Sequence, residues 1–213
     1  MSFPTVPKVY TNNATSTLRF TSAMNGSSVE FLAFLSTFTQ TYASDWNTQT
    51  VYGRNDPIAT FRGVTRNLNI GWDVPAGSLT EAKFNLDNFS ALTQMIYPSY
   101  SEGSFDGQNG LTVGSNALVL SKPPLIRMKF ANLINDASGE QGDGLLGYIT
   151  SLSWNPVLEM GMFTESNKLY PKVVALSISF GVLHEHDLGS FPNKNGKGFA
   201  SFPDSAKFPF GGE

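Results

Sequence analysis

Cysteine is absent from the 213 residues. That removes disulfides, thiolate nucleophiles and Cys-based zinc sites together, and fits a chain made in a reducing cytoplasm. Histidine is nearly absent, with two residues, His184 and His186. Positive charge is not in excess: 14 Lys and Arg stand against 17 Asp and Glu, so the chain is not equipped to neutralise a phosphate backbone as a free DNA-binding domain does. Charge of either sign is scarce. At 15 per cent it falls below the roughly 25 per cent of an average globular protein, and part of so poorly charged a surface is expected to meet protein. No apolar run approaches the length of a membrane helix, roughly 18 residues. Met1-Ser2-Phe3-Pro4 lacks the charged head and apolar stretch of a signal peptide, so a soluble chain, not exported through such a signal, is expected.

What is present suffices to fold. Hydrophobic residues make up 40 per cent and aromatic residues 13 per cent, enough apolar surface for a core. Residues 1–26, with Pro4, Pro7, Asn12, Asn13 and many Thr and Ser, show no sustained period and read as an extended N-terminal arm. The domain itself is expected over 27–187. Val29 to Tyr42, carrying Phe31, Leu32, Phe34, Leu35 and Phe38, reads as one strand apolar on both faces, and Asp45-Trp46-Asn47 as the turn after it. Leu68, Ile70, Trp72 and Val74 alternate with Asn67, Asn69, Gly71 and Asp73, the pattern of a half-buried strand.

Ser78-Leu79-Thr80-Glu81 is a capping box, and Ala82, Leu86, Phe89, Leu92 and Ile96 follow at helical spacing. A helix is therefore predicted over about 79–96, stopped by Pro98. Residues 99–116, with Gly103, Gly107, Gly110 and Gly114, read as a surface loop. Leu125–Phe130 and Leu146–Trp154 are further half-exposed strands. In the last strong strand, Val173 to His184, Val174, Leu176, Ile178, Phe180 and Val182 share one face, while Ala175, Ser177, Ser179 and Gly181 leave the other open to close packing. Residues 188–213 read as an extended C-terminal tail. Its Phe191, Phe202, Phe208 and Phe210 are costly to leave in water, so docking on a neighbouring subunit is weighed equally with a loose terminus. The expected fold class is mainly β, an antiparallel β-sandwich or barrel with one flanking α-helix and extended terminal arms.

Catalytic signatures are missing. His184 and His186 share a side of a strand, but a zinc site wants three or four ligands, and a polar strand end explains the pair better. No G-x-S-x-G elbow occurs. Glu159, Glu165, Asp136, Glu140 and Asp143 offer carboxylates, yet nothing pairs two of them as a glycosidase requires. Gly139-x-x-Gly142-x-Gly144 lacks the Lys-Ser/Thr ending of a phosphate loop. No catalytic, cofactor-binding or metal-binding residue is assigned, and no enzyme is expected. One stretch is dense in constraint: Tyr52, Gly53, Arg54, Asp56 and Pro57. Gly53 permits a positive φ, Pro57 fixes the exit, and Arg54 is two residues from Asp56. The two charges fit either a turn braced by its own ion pair or a bridge to another subunit.

The run Tyr52 to Phe61, the strand Asn67 to Val74, the capped helix followed by Tyr97-Pro98-x-Tyr100, the Pro123-Pro124-Leu125 strand, Gly147-Tyr148-Ile149, and Pro171 through Ser177-Ile178-Ser179-Phe180-Gly181-Val182-Leu183-His184-Glu185 together resemble the baseplate tail-tube initiator proteins of contractile-tailed bacteriophages. The likeness covers roughly residues 30 to 187. It implies a tail-tube-like fold of two packed antiparallel sheets, with six copies closing into a homohexameric ring in the virion's tail baseplate. The ring would lie between the central hub protein and the tail tube or a second initiator ring, with baseplate wedge proteins around it. It would template tube assembly, and DNA would pass through its lumen without specific binding, no membrane being involved. Tyr52, Gly53, Arg54, Asp56 and Pro57 then become an inter-subunit or inter-ring contact, with the helix packed on the outer side. Two alternatives stand beside this reading: the tail tube protein itself, and a β-sandwich glycan-binding module using Tyr97, Tyr100 or Trp154.

Overall fold

A computed structural model describes residues 17–106, 112–131, 133–135, 144–185, 191–192 and 199–200. In chain order the elements are β1 (Thr17–Ser22), β2 (Ser28–Leu32), β3 (Phe34–Gln49), β4 (Ile58–Pro75), α1 (Leu79–Met95), β5 (Ser99–Asp106), β6 (Thr112–Lys122), β7 (Ile126–Phe130), β8 (Leu145–Pro156), β9 (Met162–Glu165), β10 (Lys168–Pro171), β11 (Val173–Val182), β12 (Phe191–Pro192) and β13 (Phe199–Ala200). A single 3-10 turn, Leu158–Met160, separates β8 from β9. Among the described residues the fold is mainly β with one α-helix, as the periodicity implies.

Seven strands form one antiparallel sheet in the order β2-β1-β7-β8-β11-β4-β3. Its two margins, β2 and β3, are consecutive in sequence and separated only by Ala33, so the sheet must roll until its edges meet at that residue. Trp72 on β4 lies 5.9 Å from both Phe20 on β1 and Phe31 on β2, strands several places away in the sheet order. The rolled sheet thus packs on itself in two layers, as a sandwich does. No hydrogen bonds between β2 and β3 close it into a barrel among the described residues. The core consists of the inward set Leu68, Ile70, Trp72, Val74, Val174, Leu176, Ile178 and Phe180, facing Leu18, Phe20, Phe31, Ile126 and Met128.

The helix begins where the capping box places it. Ser78 Oγ accepts from the Glu81 amide at 3.2 Å, and the Glu81 carboxylate accepts from the Gly77 amide at 2.8 Å. Ala82, Leu92 and Met95 are buried, and Phe89 stacks on Trp154 with ring centroids 5.7 Å apart. Asn88 donates to the Glu30 carbonyl at 3.0 Å, covering part of the β2 margin with the helix. The β9–β10 hairpin turns through Ser166 (φ 48) and Asn167 (φ 63), the paired positive φ values of a tight two-residue turn. It is pinned to α1 by a Lys83–Glu165 ion pair, whose hydrogen bond raises the Lys83 ammonium above its ordinary value.

Four expectations are corrected. Residues 17–22 are not arm but an inner strand, with Leu18 and Phe20 fully buried; two apolar residues in a Thr- and Ser-rich run were too short a pattern to register. Residues 1–16 lie outside the described set. Val29–Tyr42 is not one strand, because Ala33 turns the chain from one sheet margin to the other. Asp45-Trp46-Asn47 is not a turn but runs within β3, where Trp46 packs on Phe61 at 5.1 Å. Residues 99–116 include the hairpin β5–β6, paired from Ser99↔Lys122 to Asp106↔Thr112. Its two strands form a separate small sheet.

Candidate assembly interface

β4 pairs with β11 only between Asn67 and Pro75. Beyond Asn67 it continues with β3 alone, from Tyr42↔Arg66 to Gln49↔Ile58. The result is a two-stranded ribbon overhanging the domain by nine residues of β4, about 30 Å at about 3.3 Å per residue. A bare ribbon of this kind is marginal in water. One shift of register, at Asp45/Trp46, puts a bulge near Arg62, so that Tyr42, Trp46, Phe61, Val64 and Arg66 all continue the core-facing side. That side is greasy yet open: Trp46 is 52 %, Phe61 52 % and Val64 51 % exposed. The opposite side carries Thr41, Ala43, Thr65 and Thr60.

At the ribbon's root Arg66 is buried and its guanidinium lies 5.6 Å from the Tyr42 ring centroid. With its amide oriented to satisfy both neighbours, Gln40 accepts from the Arg66 guanidinium and the Tyr42 hydroxyl. Desolvation pulls Arg66 below its ordinary value, with Tyr42 opposing the shift; so strong a base remains a cation. Farther out, Arg62 and Asp45 approach at 3.7 Å with both side chains about 60 % exposed, a weak surface pair.

The five residues singled out in the sequence all lie in the loop at the ribbon's end, exposed to solvent. The Arg54 amide donates to the Val51 carbonyl at 3.2 Å, and Gly53 has φ 84, the positive value that the third position of a type II turn requires. Tyr52 projects fully into solvent. No Arg54–Asp56 ion pair forms among the described residues, so the turn is set by Gly53 and not by a charge brace. Reasoning from sequence found the loop and missed the shaft. Trp46 and Phe61 could have been found as aromatic residues on facing strands, had the turn been read at Val51–Arg54.

The second feature is an open sheet margin on each side. β8 pairs with β7 only at Leu145–Gly147, whereas it pairs with β11 from Gly147 to Pro156. From Tyr148 onward no described strand lies on its other side. β3 likewise has no described strand beyond it. The four strands β8-β11-β4-β3 therefore form a sheet with two free edges, and because every pairing is antiparallel, the β3 edge runs opposite to the β8 edge. Unpaired edges of this length are templates for another strand. Across the face turned away from the core run hydroxyls and amides. Ser153 and Ser177 share a hydrogen bond of 2.6 Å, and Ser179 donates to Asn69 at 2.7 Å. Gly71 and Thr37 extend the same shallow, open depression.

Other sites considered in the sequence come apart. His186, Asp136, Glu140 and Asp143 lie outside the described residues. Glu165 is engaged by Lys83 and Glu159 stands in solvent. Among the described residues no group of three or more His, Cys, Asp or Glu is placed to hold a metal ion. Trp154 is committed to Phe89, which leaves Tyr97 and Tyr100 as the exposed aromatic residues of the glycan-binding alternative. Among the described residues no helix is long and apolar enough to cross a membrane. No protein-family model matches the chain, and no curated protein matches it.

Proposed function

We propose that the chain is a ring-forming structural protein of a contractile-tailed phage baseplate, seated between the hub and the tail tube, which templates the first tube ring and leaves a channel for DNA. The observation that carries this reading is the pair of free margins on the sheet β8-β11-β4-β3. β3 of one copy can continue the sheet by pairing antiparallel with β8 of the next, and a head-to-tail contact of that kind closes into a ring when the rotation fits. Six copies, the number implied by the resemblance, would join their sheets into one barrel without an edge. Such a ring would template the next one because sites already held in register spare it much of the entropy of nucleation.

The hydroxyl and amide face then lines the channel. Along the paired spans of β8, β11 and β4 it offers Asp73 as its one charged side chain, so phosphates find no cations to hold them. Passage would rest on the scarcity of charge more than on acidic repulsion. The tail tube protein itself is the second reading, favoured by apolar side chains at both ends of the sheet. Hub, wedge and tube proteins are the partners, and the virion the location, that this assignment implies.

The absence of cysteine makes the seam testable. Thr39 is level with Asn69, Ser179 and Ser151 across the sheet, so a seam without stagger sets Thr39 of one copy beside Ser151 of the next, and a staggered one sets Thr37 or Thr41 there. Ser151→Cys combined in turn with Thr37→Cys, Thr39→Cys and Thr41→Cys should give, for at least one pair, an oxidation ladder ending at six chains. Folded variants that stay single chains in all three cases would refute the seam.

A further inference from the structure

Asn-Gly occurs three times in the chain, at Asn25, Asn109 and Asn195. The last two pairs lie outside the described residues. Asn25 and Gly26 are exposed in the turn that joins β1 to β2, where Gly26 has φ 71. A carboxamide followed by glycine is open to attack by the next backbone nitrogen, because glycine puts no Cβ in the way. What this turn adds is a pair of donors. The Ser27 amide and the Ser27 hydroxyl both donate to Asn25 Oδ1, at 3.0 Å and 2.7 Å, which folds the carboxamide forward over the Gly26 peptide as an Asx turn does. We infer that Asn25 is a site of spontaneous deamidation, promoted by Ser27.

In the first step the Gly26 amide gives its proton to hydroxide and its nitrogen bonds to Asn25 Cγ, while the π pair of the carboxamide carbonyl moves onto Oδ1. Negative charge develops on the very atom that both Ser27 donors hold, the arrangement that stabilises an oxyanion. The Cγ–Nδ2 bond then breaks as Oδ1 returns its pair to Cγ, Nδ2 takes a proton from water and leaves as ammonia, and a cyclic imide remains. Water opens the imide at either carbonyl. One water is consumed and one ammonia released, and position 25 becomes aspartyl or isoaspartyl. The Gly26 amide also donates to the Ser22 carbonyl at 2.9 Å, so that bond opens before the attack; a Cβ built on Gly26 would meet nothing within 4 Å, so the movement has room. The product carries a negative charge where the amide was neutral. Its isoaspartyl form also routes the main chain through Cβ, one bond longer, between the strands that bury Leu18, Phe20, Val29 and Phe31. The chemistry needs only one folded chain and is independent of the ring.

The full chain is held at mildly alkaline pH, folded or unfolded in urea, and conversion at Asn25, Asn109 and Asn195 is followed by peptide-mapping mass spectrometry, with isoaspartate counted by an isoaspartyl methyltransferase. The folded, unaltered chain should acquire acid and isoaspartyl forms at position 25. Ser27→Ala should slow that conversion at least about threefold, a factor within what one net hydrogen bond supplies, while Ser27→Thr, which keeps the hydroxyl, should retain the rate. Neither substitution should change conversion at Asn109 or Asn195. In urea, where the turn is lost, all three chains should convert Asn25 alike. An Asn25 that stays intact in the folded chain while the unfolded chain converts would overturn the proposal. So would a folded Ser27→Ala chain that converts as fast as the unaltered one, or a slowing by Ser27→Ala that persists in urea.

Discussion

Trp46 and Trp72 belong to the same long hairpin and sit in opposite environments. Trp72 is fully buried against Phe20 and Phe31, whereas Trp46 is half exposed against Phe61 alone. Trp72→Ala should cost about 3–5 kcal/mol in denaturant unfolding, and Trp46→Ala about 1 kcal/mol, while its loss is felt in assembly. Arg54→Ala should leave the monomer's unfolding curve unchanged and impair ring or tail assembly; normal assembly by that variant would discard the loop as a contact. Gly147 lies where a Cβ would overlap the Gly181 carbonyl and the Phe180 ring, so Gly147→Ala should destabilise by about 1–3 kcal/mol, read as a lowered unfolding midpoint. At this scale the sequence was informative about backbone and less so about charge. Gly53 adopts the positive φ that its neighbours suggested. Arg54 and Asp56, close in sequence, do not pair, because spacing along a turn does not fix where two long side chains point.

Elements with a complete signature were legible. The helix had a cap, a stripe and a stop, and it runs from Leu79 to Met95; Ser78→Ala should lower stability by about 1 kcal/mol, measurable by thermal unfolding. β4 and β11 alternate over enough residues for one face to be unmistakable, and Leu68, Ile70, Trp72 and Val74 are buried as a set. Elements defined by a partner were not legible. β1 has two buried apolar residues in six, and only its place between β2 and β7 makes it a strand. β5 and β6 form a sheet of their own, and β9 and β10 depend on a two-residue turn of Ser and Asn. The distal part of β3 looked like a turn, since Asp and Asn favour turns locally, but its pairing with β4 overrides that preference.

For the molecule as a whole, the sequence disclosed the class and not the closure. That Ala33 joins the two margins of a rolled sheet is a property of strand order, which no local pattern encodes. The same is true of the interface. Low charge content raised the expectation that some surface meets protein, but the free edges of β3 and β8 among the described residues follow from register, where β7 departs from β8 after Gly147. The central claim is that these edges are completed by identical neighbours around an axis. A three-dimensional reconstruction of the tail baseplate, at a resolution that separates strands, tests it most directly. The account predicts six copies around a channel, each β3 paired antiparallel with the next copy's β8 and with Asn69, Ser177 and Ser179 turned to the lumen; a particle in which this chain stands alone, or in which those two edges are covered by other proteins, would contradict it.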